Sequence, residues 1–439
     1  MEDYSQESVD DFYQNLNELI IMQARKLINH SLYTKALLST LPVALIATDK
    51  EGLIKTLNHS AEEILGTKEK TIRESQLINI FGTESTVSKK INQSLSEGRP
   101  FHIRSENLTI ALSNKNIVGN IYLQPIKDEE NLVCGLLMTI EDLTYVHFLH
   151  DAFKRYVPPS VSELIAQNPE TLKLGGEEKY LTVLFCDLVG FTSYSERYYP
   201  HEMVTIISDY FAAMTEEVFK FEGTLKEYVG DEMMVIFGAP FQQYDHAKRA
   251  CLAALAMKKR LSLLRDEWSK IGRPPLRART GVNSGEMLVG NLGSPYRFSY
   301  GVLGDNVNLA SRLEGLNNMY GTEILIGQNT AKLVNDSFYL REIDRVRVKG
   351  RQQTVSVFEL IESKSKTISQ EIQTIIELYA EGLSEYMKQN WEKSIKFFKE
   401  AIECNPNDKP SSIMLERCIN YKRKPPLENW DGVFQHTTK

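Results

Sequence analysis

The sequence predicts an α+β chain: two sheet-bearing domains joined by a helical linker and flanked by helical ends. Three observations predict it. Between residues 41 and 140, short β-rich runs are broken by turn residues. From 180 to 362, strand-like runs alternate with helical periods, the pattern of a layered α/β sandwich. Residues 10–40, 141–166 and 366–425 carry apolar positions at helical spacing.

The leading helix, within residues 1–37, is written in Phe12, Leu16, Leu19, Ile20, Ala24 and Leu27. The first sheet domain, 38–142, opens with a strand over 43–48, a turn through Gly52 and a strand over 53–57. Residues 58–66 read as a short helix ended by glycine, and 108–140 as three further strands. This order, and the run from Leu41 to Gly66 above all, resembles a PAS domain. The resemblance implies a sensor fold and leaves its ligand open among haem, flavin, a small metabolite or none.

A helical signalling linker follows over 143–178, with Pro158 and Pro159 marking a break and a restart. His147 and His150 stand one helical turn apart there, but two imidazoles do not complete a metal site and are assigned no role. The second sheet domain, 179–362, predicts strands at 180–187, 224–237 and 276–292, with helices at 200–221, 244–268 and 306–317. In the tail, 366–425, the positions Tyr379, Gly382, Tyr386, Trp391, Phe397, Ala401 and Pro406 resemble one tetratricopeptide repeat. A lone repeat cannot bury its own faces, so this tail is predicted to pack on the second sheet domain or on a protein partner.

Composition bounds the function. At 439 residues the chain has room for two or three domains, and 42% apolar with 25% charged residues is the balance of a folded protein. A formal net charge of −7 argues against a general nucleic-acid binder. The five cysteines form no CxxC pair, which speaks against a zinc or disulfide scaffold and suits a reducing cytoplasm. The start is acidic, and no apolar run approaches the roughly 18 residues of a membrane span, so a soluble, cytoplasmic protein is predicted.

The chemistry begins where an apolar run from Val183 ends in Asp187, followed by Leu188, Gly190, Phe191 and Thr192. A carboxylate at a strand end can hold a hard cation, and a glycine turn lets backbone N–H groups approach phosphate oxygens. The plainer alternative is a capping acid and an ordinary turn. A second acid, Asp231, follows Gly230 between two β-rich runs and so sits at a hairpin tip. Further on, Asn308 and Arg312 lie one helical turn apart and share a face; the plainer reading is a surface helix with a solvated arginine. Together these segments resemble the catalytic domain of class III adenylate and guanylate cyclases over residues 178–362.

The resemblance implies a ferredoxin-like βαββαβ core and two Mg2+ or Mn2+ ions held by Asp187, Asp231 and the backbone carbonyl of Leu188. It implies that Asn308 orients the ribose and that Arg312 steadies charge on phosphorus. Gly190, Phe191, Thr192 and Lys349 would bind phosphate, although Arg345, Arg347 and Arg351 stand beside that lysine. Metal carboxylates from one subunit would meet the asparagine and arginine of the other, so a homodimer would hold two sites. The PAS domain would regulate the product, a cyclic nucleotide signal.

Two positions implied by the same family read the base. The first is Glu227, whose carboxylate can accept from guanine N1–H and the 2-amino group, whereas adenine N1 is an acceptor. The neighbouring Lys226 would suit adenine if the register slipped by one, but strand alternation from the Gly230 turn places Glu227 on the site face. The second position is Gly301, where a side chain favouring ATP is absent and none is supplied for guanine O6. GTP is therefore the predicted substrate and ATP the alternative. A diguanylate-cyclase hairpin is disfavoured by Val229 and Met233, a P-loop ATPase by the absence of GxxxxGK[ST], and a non-catalytic scaffold by the full set of polar residues.

Overall fold

The computed structural model describes residues 33–191, 198–347, 354–426 and 430–435, and the predicted leading helix lies outside them except for its last residues. The chain divides between Tyr156 and Val157 into two compact units.

In the first unit, helix α1 (Tyr33–Thr40) precedes the hairpin of β1 (Ala44–Asp49) and β2 (Ile54–Leu57). The Asp49 carboxylate accepts from the backbone of Glu51 and Leu53, and Gly52 supplies the positive φ of the turn. Helix α2 (His59–Leu65) starts under an Asn58 cap and stops at Gly66, as the sequence predicts. Helix α3 (Glu69–Ile72) and helix α4 (Thr86–Glu97) follow, then β3 (Phe101–Ile110), β4 (Lys115–Lys127) and β5 (Val133–Asp142). The antiparallel sheet runs β2-β1-β5-β4-β3, with Ile46, Ile91, Ile121 and Met138 in its core. Helix α5 (Thr144–Tyr156) ends the unit.

The second unit starts with α6 (Pro159–Gln167), the restart predicted at the proline pair. Strand β6 (Gly175–Leu188), helix α7 (Pro200–Lys220), β7 (Thr224–Val229), β8 (Glu232–Phe237), helix α8 (His246–Ser269) and β9 (Ala278–Ser294) form a βαββαβ unit. Their order in the sheet, β9-β6-β8-β7, is the split ferredoxin-like arrangement. Central β6 is buried on both faces, which explains its unbroken apolar run: Leu184, Cys186 and Leu188 meet the helices, while Leu181, Val183 and Phe185 face the other layer.

The sheet extends through β10 (Arg297–Leu303), which pairs with β9, and through β11 (Ile324–Gly327), β12 (Phe338–Arg347) and β13 (Val355–Ser363). Helix α9 (Asp305–Tyr320) lies against β9, and helix α10 (Gln328–Val334) follows β11. At that crossing a Cβ on Gly281 would fall 2.2 Å from the Ala310 carbonyl oxygen, so a side chain there would drive α9 off the strand. Asn317 fixes the far end of the helix by donating to the Thr280 carbonyl.

Helices α11 (Gln370–Met387), α12 (Trp391–Cys404) and α13 (Lys409–Arg423) form the tail, and β14 (Phe434–Gln435) pairs in parallel with β12. Of the predicted positions, Tyr379, Gly382, Tyr386, Trp391 and Ala401 are buried; Phe398 rather than Phe397 is the fully buried ring, and Pro406 is exposed. The unburied repeat face is covered by the same unit: Leu309, Leu313 and Tyr320 of α9 share one core with Tyr379, Tyr386, Phe398 and Met414. Beneath it, buried Asp344 accepts from the Tyr320 hydroxyl and from Arg417, and buried Arg341 pairs with Glu359 and Asp408. Removing Arg417 strands the Asp344 charge. Arg417→Ala should therefore cost about 3–5 kcal/mol in urea unfolding, and a loss under about 1 kcal/mol would show that the tail does not support the sheet.

Candidate functional site

The site is built where β6 ends. Its last residues, Asp187 and Leu188, pair with Arg279 and Ala278 of β9, while Cys186 pairs with Met233 of β8. The β7–β8 turn is the two residues Gly230 and Asp231, with Gly230 at φ +66°, so Asp231 arrives at the hairpin tip the sequence predicts. Register carries the two carboxylates to neighbouring strand ends. Burial first, and then the like charge of Asp231, raise the Asp187 carboxyl above its ordinary value, against the pull of Arg279.

Three groups that sequence reasoning missed surround this pair. Arg279 places Nη2 3.4 Å from Asp187 Oδ2 and Nε 3.1 Å from Glu314 Oε1, the second an ion contact without hydrogen-bond alignment. Burial pushes the Glu314 carboxyl up to about 7, Arg279 opposing it while Asp187, Glu232 and Asp231 add to it. Glu232 is raised by burial and then by the same two aspartates. One guanidinium among four carboxyl groups leaves excess negative charge, and two closely opposed oxygen donors are what a hard divalent cation favours. Among the described residues no third His, Cys, Asp or Glu completes a protein-only ligand group. Nothing in a single sequence marks Arg279 or Glu314, because they reach the site through the β6–β9 ladder and the α9 crossing.

Past β6, Gly190 turns at φ +73° with open space where a Cβ would lie, and Phe191 packs on the helix-side core. Thr192 and Lys349 lie outside the described residues. On α9, Asn308 is exposed and Arg312 half-buried, one turn apart, and Arg312 Nη1 is buried with no hydrogen-bond partner among the described residues. An orphaned guanidinium nitrogen is ready for an anion. Asn283 donates to the Asn306 carbonyl at 2.9 Å and so anchors the start of this helix.

The strand β7 differs from the simple alternation that the sequence suggests. Leu225 pairs with Val235 and Glu227 with Met234, which makes Lys226 the extra residue of a bulge. Glu227 thus shares the face of Met234, opposite the face on which Leu225 packs. Lys226 Nζ lies 2.5 Å from Glu227 Oε1, and a Cβ on Gly301 would stand 3.0 Å from Lys226 Cε. Lys226 therefore covers the very position where the second predicted residue lacks a side chain.

Two segments of the chain match known families. Residues 176–362 match the family model of the adenylate and guanylate cyclase catalytic domain, and residues 32–143 match that of the PAS fold. Adenylate cyclase 1 of Rhizobium meliloti is 34% identical over 212 residues, covering 48% of this chain and 31% of the relative. The adenylate cyclase of Anabaena cylindrica is 35% identical over 221 residues, covering 48% and 43%. The chain thus spans less than half the length of these curated relatives. Among solved structures, the adenylyl cyclase CyaB from P. aeruginosa is 34% identical, covering 44% of this chain and 100% of that one, with a TM-score of 0.42. The guanylyl cyclase Cya2 is also 34% identical, covering 45% and 99%, with a TM-score of 0.41.

The raised Glu314 carboxyl sets a pH dependence. Its folded value near 7 exceeds the ordinary 4.5, so stability is fullest below about 4.5 and falls as pH rises toward 7. Urea midpoints of EDTA-treated protein between those limits should fall less steeply in Glu314→Gln than in the wild type. Parallel profiles would contradict this placement of the charge.

Proposed function

The chain carries a catalytic domain of the class III adenylate and guanylate cyclase family behind a PAS domain, and from that premise we propose that it converts GTP to 3',5'-cyclic GMP and pyrophosphate as a cytoplasmic homodimer. The carrying observation is the Asp187–Asp231 pair, set at the end of β6 and in the β7–β8 turn, where burial and then the like charge of Asp231 raise the Asp187 carboxyl. Asp187, Asp231 and the Leu188 carbonyl are the residues that would hold Mg2+ or Mn2+. When bound, such ions supply Lewis acidity toward the ribose 3'-hydroxyl and charge neutralisation for the departing pyrophosphate.

The chain's own residues do the rest. Asn308, exposed on α9, holds the ribose by hydrogen bonds, and the free Nη1 of Arg312 donates to the phosphoryl oxygens as charge builds on phosphorus. The turn through Gly190 and Phe191, with Thr192 and Lys349, takes the remaining phosphates. Sharing of these groups between two copies gives two equivalent sites. Five free thiols suit a reducing compartment, and among the described residues no helix is long and apolar enough to cross a membrane.

Guanine is favoured by Glu227, a carboxylate on the sheet face with glycine at 301. ATP is the second reading, favoured by the curated relatives named adenylate cyclases. The PAS domain supplies the signal input; unchanged turnover after deletion of residues 1–145 would remove that part of the proposal. Steady-state assays with GTP and ATP in parallel, in saturating Mg2+ or Mn2+, should yield cyclic GMP selectively. Asp187→Asn and Asp231→Asn should each lower kcat by about a thousandfold or more. Selective cyclic AMP would overturn the guanine reading, and turnover surviving either aspartate substitution would overturn the site.

A further inference from the structure

We propose that Lys226 is a base-reading residue: its side chain lies over the room that glycine leaves at position 301, and its ammonium donates to the purine 6-oxygen, while Glu227 accepts from N1–H and the 2-amino group. This rests on the guanine reading above, with 227 and 301 as the two base-reading positions. Whatever occupies the space over residue 301 then meets the purine substituent next to N1.

Three observations carry the assignment. The bulge at Lys226 breaks the alternation of β7, so Lys226 reaches over Gly301 instead of pointing to the opposite face from Glu227. Its side chain is only 15% exposed, against 46% for Glu227, so it is no solvated surface lysine. An ammonium so covered needs a partner, and Glu227 Oε1 at 2.5 Å provides it. An ammonium has three donors and no acceptor, so further donors stay available to a ligand.

The resulting pair presents a donor beside an acceptor. Guanine matches it with an acceptor at O6 and donors at N1 and the 2-amino group; adenine sets its 6-amino donor against the lysine and its N1 acceptor against the carboxylate. Glycine at 301 is part of the same device. Even a methyl group there would stand 3.0 Å from Lys226 Cε, and a larger side chain would push the lysine side chain aside.

The test compares kcat/KM for GTP, 6-thio-GTP and inosine triphosphate in the full-length protein and its variants. Sulfur at the 6-position is a poor acceptor, whereas inosine keeps O6 and lacks only the 2-amino group. Lys226→Met should lower the GTP to 6-thio-GTP preference by about tenfold or more while leaving the GTP to inosine triphosphate ratio near the wild-type value. Lys226→Arg should retain both ratios, and Gly301→Thr should behave like Lys226→Met. Each ratio is read within one variant, so a general loss of activity does not mimic the effect. A GTP-selective wild type whose 6-thio discrimination survives Lys226→Met would overturn this inference alone. A wild type that turns over only ATP would overturn the guanine reading and this inference with it.

Discussion

Two carboxylates held together against their own repulsion are the constraint on which the site depends. Asp187 lies at the end of β6 and Asp231 in the turn that leads into β8, and these strands cannot separate, because β6 is the buried centre of the sheet and β8 is laddered to it from Thr182 to Cys186. Burial and then the like charge of Asp231 raise the Asp187 carboxyl, and one arginine, Arg279, offsets part of the excess charge. Such a pair is an unfavourable element in an empty fold and a favourable one around a divalent cation. Its persistence at the end of a well-packed strand is the physical argument for a metal-dependent reaction.

The second half of the proposed chemistry is held by different means. Asn308 and Arg312 ride on a helix that touches β9 at Gly281 with no room for a side chain and is tied at both ends by Asn283 and Asn317. Its opposite side is sealed by the tail through Leu309, Leu313 and Tyr320. The three tail helices therefore act as a buttress for the helix that presents the orphaned Arg312 nitrogen. That arrangement resolves how a lone helical repeat stays folded: its missing neighbour is the catalytic sheet itself.

Much of this was legible in the sequence where local rules dominate. The Gly52 and Gly230 turns, the Asn58 and Gly66 caps and the central strand ending at Asp187 follow from turn chemistry and hydrophobic period. Helix α4 was not anticipated, although Val87, Ile91 and Leu95 recur at four-residue spacing. The third PAS strand begins at Phe101, earlier than its apolar pattern, because much of its first half is exposed. Alternation also failed at Lys226, where a bulge set by tertiary pairing places two consecutive charged residues beside each other. Arg279 and Glu314 were invisible for a related reason: long-range strand and helix contacts, not spacing, bring them to the aspartates.

The central claim is that one functional site needs the carboxylate pair of one copy and the α9 residues of another. Complementation tests it most directly, by measuring turnover of an Asp187→Asn chain and an Arg312→Ala chain, separately and co-purified. Each alone should be inactive. Random pairing makes half the dimers mixed, each with one intact site of two, so the mixture should recover about a quarter of wild-type turnover. A mixture as inactive as its components, in verified mixed dimers, would contradict the shared site.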